Sequence, residues 1–170
     1  MVTAEGMEIY VVRHAIAAER GPEWPDDTKR PLVERGVERF KEAVDGLVWL
    51  DVVIDEIFTS SLVRARQTAD LLSAGLPARP PVRVLEELAP GHSPQEILRQ
   101  LAHETRKRRV ALVGHEPGLG ELIGHLVGTK TSVPMKKGGV CRIDVESLSP
   151  LRPGVLVWLL TPKILRKLGH

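Results

Sequence analysis

Two hydrophobic periods alternate along almost the whole chain, one typical of strands and one typical of helices. Short apolar runs predict strands at residues 9–12, 53–58, 82–85, 110–113, 140–145 and 155–160. Apolar residues at helical spacing predict helices at 33–48, at 62–74, from 94 onward, at 119–127 and at 162–168. This order predicts a three-layer α/β/α fold with a mostly parallel central sheet and an antiparallel strand near the C-terminus.

The size and composition are those of one globular domain covering residues 1–170. Hydrophobic residues make up 42% of the chain and charged residues 27%, which is ordinary for a soluble protein. Residues 1–8 lack a basic segment followed by an apolar one, so they predict no secretory signal. The apolar runs are far shorter than the roughly 20 residues that span a bilayer. We therefore expect a cytoplasmic protein without a membrane partner.

The charge and the cysteine content narrow the set of partners. The net charge of +2 does not by itself indicate a nucleic-acid partner. The basic cluster 106–109 stands where a helix is expected to end, so a role at the helix C-terminus is favoured over nucleic-acid binding. Cys141 is the single cysteine, which excludes an intrachain disulfide and a cysteine-rich zinc site.

The adjacent pair Arg13-His14 ends the first predicted strand. Ligands of open α/β sheets bind beyond the carboxyl ends of the strands, so the pair lies where chemistry is expected. An arginine offers a charged fork to phosphate, and a neutral histidine is a nucleophile. The pair suggests phosphoryl transfer through histidine, with an ordinary charged strand end as the alternative.

Two further strand ends carry residues of the same kind. Arg64 is expected in the first turn of a helix with Ser61 as its N-cap, where the helix dipole disfavours a cation unless an anion binds there. His115 follows another strand and precedes a helix that begins near Pro117. Each residue alone has a structural explanation, but parallel neighbouring strands would bring them together at one phosphate-sized site.

Other chemistries lack their residues in this chain. His115-Glu116 begins like a zinc-protease helix, but Leu119 stands where the second histidine is required. The chain has no Walker A phosphate-binding loop (G-x-x-x-x-G-K-[ST]), no complete dinucleotide-binding fingerprint and no G-x-S-x-G nucleophile elbow.

The motifs resemble those of the histidine phosphatase superfamily, which includes phosphoglycerate mutases and acid phosphatases. The matching segments are V-V-R-H-A at 11–15, T-S-S-L-V-R-A-R-Q-T at 59–68 and L-V-G-H-E-P-G at 112–118. Within the superfamily the chain looks most like SixA-type phosphohistidine phosphatases, because segments 30–36 and 85–88 also fit. The resemblance spans about residues 8 to 128 and is looser beyond them.

The resemblance implies a role for each matched residue. His14 would be the nucleophile that is transiently phosphorylated. The phosphate pocket would consist of Arg13, Arg64 and His115, with Arg30 at its rim. The resemblance also places Glu87 where many members keep an acidic proton donor. Basic side chains would neutralise the phosphate, so we expect a metal-independent enzyme without a cofactor.

The chain departs from the family pattern at three positions. Ala15 stands in place of a glycine, Ser61 in place of a proline, and Glu116 where a neutral residue is frequent. Glu116 adds negative charge beside a phosphate pocket, so we expect its side chain to point away.

The short chain leaves little room for loops that enclose a small substrate. We therefore expect a phosphohistidine-bearing protein as the substrate. A phosphatase for a small phosphomonoester is the alternative enzyme. A non-catalytic module that binds phosphohistidine or RNA is the alternative outside enzymology.

Overall fold

The computed structural model describes residues 6–170. Six strands, β1 to β6, occupy Met7–Arg13, Glu56–Thr59, Val82–Val84, Arg109–Gly114, Val140–Val145 and Val155–Leu160. Five helices, α1 to α5, occupy Glu34–Trp49, Val63–Gly75, Pro94–Glu104, Gly118–Val127 and Pro162–Leu168. Two short 3-10 helices lie in the loops after β1 and β3, at Asp27–Lys29 and Glu86–Leu88.

The strands form one six-stranded sheet in the order β3-β2-β4-β1-β5-β6. Strands β1 to β4 are parallel, and β5 runs antiparallel to both β1 and β6. The predicted fold class, including the antiparallel strand near the C-terminus, is confirmed. Because β2, β4 and β1 are adjacent and parallel, their carboxyl ends lie side by side at one edge of the sheet.

Helices cover both faces of the sheet, as the nearly continuous apolar strands require. Alternate residues of β1 point to opposite faces: Tyr10 and Val12 join the core beneath α1, α2 and α5, and Ile9 and Val11 join the core beneath α3 and α4. The central strands are therefore buried from both sides, and the residues that follow them are held on a rigid base.

Two local predictions are confirmed by the helix ends. Ser93 is the N-cap of α3, where its side chain accepts a hydrogen bond from Glu96 N–H. Arg106, in the basic cluster 106–109, donates to the carbonyl oxygen of Ala102 at 2.6 Å and so satisfies the C-terminal end of α3. The structural interpretation of that cluster is therefore correct at Arg106.

Two predicted boundaries are wrong. Ser61 is not the N-cap of α2: the cap is Leu62, without a side-chain cap bond, and the Ser61 hydroxyl donates to Glu86 Oε2 instead. Strand β2 begins at Glu56 rather than at residue 53. Val52 and Ile54 are nevertheless buried, because the connection from α1 packs its apolar side chains on the core.

Within residues 6–170, no helix combines the length and the apolar character that a membrane-spanning segment needs. The prediction that residues 1–8 carry no secretory signal falls largely on residues 1–5, which lie outside the described residues.

Candidate functional site

A cavity of about 740 Å³ opens at the carboxyl ends of β1 and β4. The residues around it include Arg13, His14, Arg30, Arg64 and His115. These five were selected from the sequence, and they come from four separate stretches of the chain. Parallel strand order explains the convergence, because the segments that follow β1, β2 and β4 all emerge at this edge.

His14 lies just beyond β1 with only 5% of its surface exposed. Its Nδ1 is 2.7 Å from the carbonyl oxygen of Ala15, which can only accept, so Nδ1 carries the proton. Nε2 therefore holds the lone pair. Burial, together with the charges of the nearby Arg64 and Arg13, lowers the pKa of His14 from 6.5 to about 4, against the opposing hydrogen bond to Ala15. A neutral imidazole with a defined tautomer results.

The backbone around His14 is fixed by neighbouring elements. His14 N–H donates to the Gly114 carbonyl oxygen of β4 at 3.1 Å, and Ala15 N–H donates to Thr68 Oγ1 of α2 at 3.0 Å. Thr68 Oγ1 in turn donates to the Arg64 carbonyl oxygen one helical turn earlier. The histidine and the arginine are thus tied to each other through α2.

His115 follows β4, and its ring centroid lies 5.2 Å from that of His14. Its Nε2 is 2.7 Å from Ser60 Oγ, which also accepts from Leu62 N–H at 3.3 Å. In the tautomer whose Nε2 accepts from the Ser60 hydroxyl, the proton of His115 lies on Nδ1. Burial, together with the proximity of His14 and the charge of Arg64, lowers the pKa of His115 to about 3.

Arg64 and Arg30 are both buried and share one carboxylate. Arg64 Nη2 donates to Asp27 Oδ2 at 3.1 Å, and Arg30 Nε donates to Asp27 Oδ1 at 3.0 Å. Each guanidinium also donates to a carbonyl oxygen: Arg64 to that of Asp27 itself and Arg30 to that of Ala18. Asp27 balances part of the positive charge of the cavity.

Arg13 is held from the other side of the cavity. Its Nη1 donates to the Met135 carbonyl oxygen at 2.7 Å. Glu116 lies near enough to act on the charge of Arg13, but its Oε2 accepts from Gly120 N–H in the first turn of α4. Burial raises the pKa of Glu116. Glu116 also lines the cavity, so the expectation that its carboxylate points away from the phosphate stays a prediction.

Four buried side-chain atoms in the described part of the chain have no hydrogen-bond partner, and all four belong to residues that line this cavity. They are Arg13 Nε, Arg64 Nε, His115 Nδ1 and Glu116 Oε1. The two guanidinium Nε atoms are donors, and His115 Nδ1 is a donor in the tautomer whose Nε2 accepts from Ser60. Buried donors without partners cost free energy, so their concentration at one place indicates a site suited to a ligand with several acceptor oxygens.

Glu87 is the one selected residue that does not line this cavity. It is half-buried in the 3-10 helix after β3 and lines an adjoining cavity of about 380 Å³. The two cavities share Pro90, His115, Glu116 and Pro117. Glu87 thus lies beside the site, at the side of His115.

Sequence reasoning did not find Asp27 or Trp24, which also line the cavity. Both lie in the loop between β1 and α1, which lacks any hydrophobic period. The position of Asp27, three residues before Arg30, was an available signal for an ion pair on a short helical turn. Trp24 carried no comparable signal.

Within residues 6–170, no cluster of three or more histidine, cysteine, aspartate or glutamate side chains is arranged to hold a metal ion. The groups able to hold an anion are the guanidinium and imidazole donors described above.

Comparison with known proteins gives a consistent result. Residues 9–91 match the family model of the histidine phosphatase superfamily, branch 1. An uncharacterized protein of Picosynechococcus sp. is 36% identical over 138 residues, which cover 79% of this chain and 82% of the relative.

Solved structures share the fold. The protein histidine phosphatase SixA, determined with tungstate, superposes with a TM-score of 0.81 and 24% identity over 94% of this chain and 99% of its own. The alpha-ribazole phosphatase of Shigella flexneri has a TM-score of 0.67 and 18% identity, over 92% of this chain and 97% of its own. The chain therefore belongs to the histidine phosphatase superfamily and has the fold of its SixA-type members.

Proposed function

We propose that this protein hydrolyses phosphohistidine on a protein partner, through a phosphorylated His14 intermediate. The observation that carries the proposal is the neutral, buried His14 beside buried nitrogen atoms of Arg13, Arg64 and His115 that have no partner among residues 6–170. A nucleophile with a free lone pair and donors for phosphate oxygens are the two requirements of this chemistry.

In the first step, the Nε2 lone pair of His14 attacks the phosphorus atom. The phosphorus–nitrogen bond of the substrate breaks as the Nε2–phosphorus bond forms, and the leaving imidazole takes the bonding pair and a proton. The bond from Nδ1–H to the Ala15 carbonyl oxygen supports this step, because it orients the ring and stabilises the positive charge that develops on it.

In the second step, water attacks the phosphorus atom of phosphorylated His14. The Nε2–phosphorus bond breaks, a proton of the water returns to the group that protonated the leaving imidazole, inorganic phosphate leaves and neutral His14 returns. Arg13, Arg64 and His115 supply the donors that neutralise the equatorial oxygens in both steps, and Arg30 supports the pocket from its rim. These fixed positive groups do the work that Mg²⁺ does in other phosphoryl transfers, so no metal is part of the proposal.

Glu87 is proposed as the proton donor to the leaving group. Its place in the adjoining cavity fits a leaving group that extends past His115 and away from His14. Proton transfer from a positioned carboxyl group contributes typically about a hundredfold or more to such rates.

A protein substrate is favoured by the short connections around the cavity. The longest segment beside it, between β1 and α1, holds only one 3-10 turn, so within residues 6–170 no inserted domain closes over His14. At the rim, Arg20 pairs with Asp27 at 3.6 Å and the exposed Glu19 is acidic, whereas the exposed Lys137 adds a positive charge that favours an acidic protein surface. Such an exchange with a signalling protein would take place in the cytoplasm.

A phosphatase for a small phosphomonoester is the second candidate. A cavity of about 740 Å³ is within the range of roughly 300 to 1,000 Å³ that small-molecule sites occupy. The structural similarity to an alpha-ribazole phosphatase supports the same possibility.

The test follows loss of phosphate from a phosphohistidine-bearing phosphotransfer protein, with and without a chelator, beside a panel of sugar, nucleotide and amino-acid phosphates. His14→Ala should reduce turnover by about a thousandfold or more. His125→Ala, which removes an exposed histidine of α4 outside the cavity, is the matched control and should retain activity.

Unchanged turnover by His14→Ala would exclude the mechanism, and loss of activity with the chelator would exclude metal independence. Much faster turnover of a small phosphomonoester than of the phosphoprotein would support the second candidate instead.

A further inference from the structure

Trp24 presents the largest apolar side chain of the cavity that contains His14. Its indole is partly buried, and the other apolar residues around the cavity are small: Ala17, Ala18, Pro90 and Pro117. Apart from the two histidine rings, Trp24 is the one aromatic side chain lining the cavity in the described part of the protein. A substrate group beyond the phosphate therefore finds one large planar surface there.

Trp24 is held in place by the hydrogen bonds of its own loop. The backbone N–H of Trp24 donates to the Gly21 carbonyl oxygen at 3.0 Å, which closes a turn. Two residues later, Asp26 caps the 3-10 helix by accepting from Thr28 N–H at 3.0 Å. The backbone that carries the indole thus lies between two hydrogen-bonded turns.

The base of the same loop is also anchored. Ala17 and Leu32 form an isolated antiparallel bridge, and Ala18 N–H donates to the Pro31 carbonyl oxygen at 2.8 Å. The buried Arg30 donates to the Ala18 carbonyl oxygen at 2.7 Å. A preorganised aromatic surface contributes more to recognition than a mobile one, because less conformational entropy is lost on binding.

The cavity is larger than a phosphate group requires. Its volume is about 740 Å³, whereas one water molecule takes up roughly 30 Å³ of the liquid and a phosphate group is only a few times larger. The cavity therefore has room for a leaving group beside the phosphate. Around the phosphate position the surroundings are charged, from Arg13, Arg64 and Asp27. The indole is the part of the cavity that distinguishes leaving groups by shape rather than by charge.

From this arrangement we infer that Trp24 makes the site selective for phosphate carried on a planar aromatic ring, such as the imidazole of phosphohistidine, over phosphate carried on an aliphatic alcohol. The inference rests on the proposed function. Aromatic rings attract one another in offset or edge-to-face arrangements, which an aliphatic chain does not reproduce. The leaving imidazole takes the bonding pair and a proton and so departs as a neutral aromatic ring, which keeps this contact with the indole as the phosphorus–nitrogen bond breaks.

The experiment compares kcat/KM for phosphoimidazole and for phosphoserine, and the measured quantity is their ratio. Trp24→Leu keeps an apolar side chain but removes the planar ring, and it should lower the ratio about fivefold, the size that aromatic pairing usually gives. Trp24→Phe keeps a planar ring and should restore most of the ratio. Trp49→Leu, at an exposed tryptophan of α1 outside the cavity, is the matched control and should leave the ratio at the wild-type value.

An unchanged ratio in Trp24→Leu would overturn the inference, as would an equal fall in Trp24→Phe. Far-ultraviolet circular dichroism of each variant shows whether it is folded. If Trp24→Leu does not fold, the Trp24→Phe ratio decides: a ratio near the wild-type value supports a planar surface, and a fivefold loss overturns it. Failure of the proposed function has a different signature, because His14→Ala would then retain turnover of both substrates.

Discussion

Lowering the pH from about 7 to about 5.5 is expected to destabilise the folded protein through two buried histidines. Burial holds the pKa of His14 at about 4 and that of His115 at about 3, below the ordinary value of 6.5. The folded protein therefore keeps both rings neutral across this interval, whereas the unfolded chain binds protons at both. Stability that is present above pH 6.5 is lost as the pH falls, because the unfolded state binds more protons.

The magnitude follows from this difference in proton binding. Each histidine favours the unfolded state by about 1.4 kcal/mol at pH 5.5 and by about 0.2 kcal/mol at pH 7, so each contributes a loss of about 1.2 kcal/mol. Together the two rings lower the free energy of unfolding by about 2.4 kcal/mol. The result depends little on the folded-state values, because any pKa below about 4.5 leaves the folded rings neutral at pH 5.5.

The assay is urea unfolding followed by far-ultraviolet circular dichroism at both pH values, in phosphate-free buffer. Bound phosphate would favour the charged imidazoles and weaken the effect. His14→Gln should reduce the acid loss by about half, to about 1.2 kcal/mol. His125→Gln is the matched control, since it removes an exposed histidine of α4, and the acid loss should keep its wild-type size.

A wild-type protein that loses no stability between the two pH values would refute the assignment of neutral buried rings. The same conclusion would follow if His14→Gln lost as much stability as the wild type. Other titrating groups are common to both proteins, so they cancel from this comparison.

Two further predictions concern the charge of the cavity and the packing of α1. Asp27→Asn removes an anion from the cavity, while a carbonyl oxygen still orients the guanidinium groups of Arg30 and Arg64; we expect inorganic phosphate to inhibit about threefold more tightly, a Coulomb effect of less than about 1 kcal/mol. A higher inhibition constant would show instead that the carboxylate mainly positions these groups. Gly46→Ala would drive a Cβ into the carbonyl oxygen of Leu165 in α5, so urea unfolding should show a loss of about 2 to 3 kcal/mol. Gly118→Ala, whose Cβ would meet no atom within 4 Å, should stay within about 1 kcal/mol of the wild type, and equal losses in the two variants would contradict the packing argument.

The order of strands and helices was predictable because buried strands and amphipathic helices leave different hydrophobic periods. The exact first and last residues of these elements were harder to predict. Val52 and Ile54 are buried apolar residues like those of a strand, yet they lie in the connection before β2. A buried connecting segment and a buried strand therefore cannot be told apart by their apolar residues alone. Ser61 has the right chemistry for an N-cap, but its hydroxyl bonds to Glu86, a residue that lies 25 positions further along the chain.

The candidate site divides in a similar way. The sequence predicts that four residues meet at one site, because parallel neighbouring strands present their carboxyl ends at one edge of the sheet. These residues are Arg13, His14, Arg64 and His115. The sequence does not predict that Asp27 and Trp24 line the cavity. Their loop reaches it through contacts between distant segments, such as the hydrogen bond from Arg64 to Asp27 across 37 positions.

The position of β1 inside the sheet ties the reactive pair to the whole fold. Arg13 N–H donates to the Gly139 carbonyl oxygen on the β5 side, and His14 N–H donates to the Gly114 carbonyl oxygen on the β4 side. Fraying at a sheet edge cannot release the pair, so its amide hydrogens should exchange with solvent only through global opening of the molecule. Catalytic activity and the folded fraction should then decline together during denaturation. The turnover rate would therefore measure the fraction of molecules that are folded.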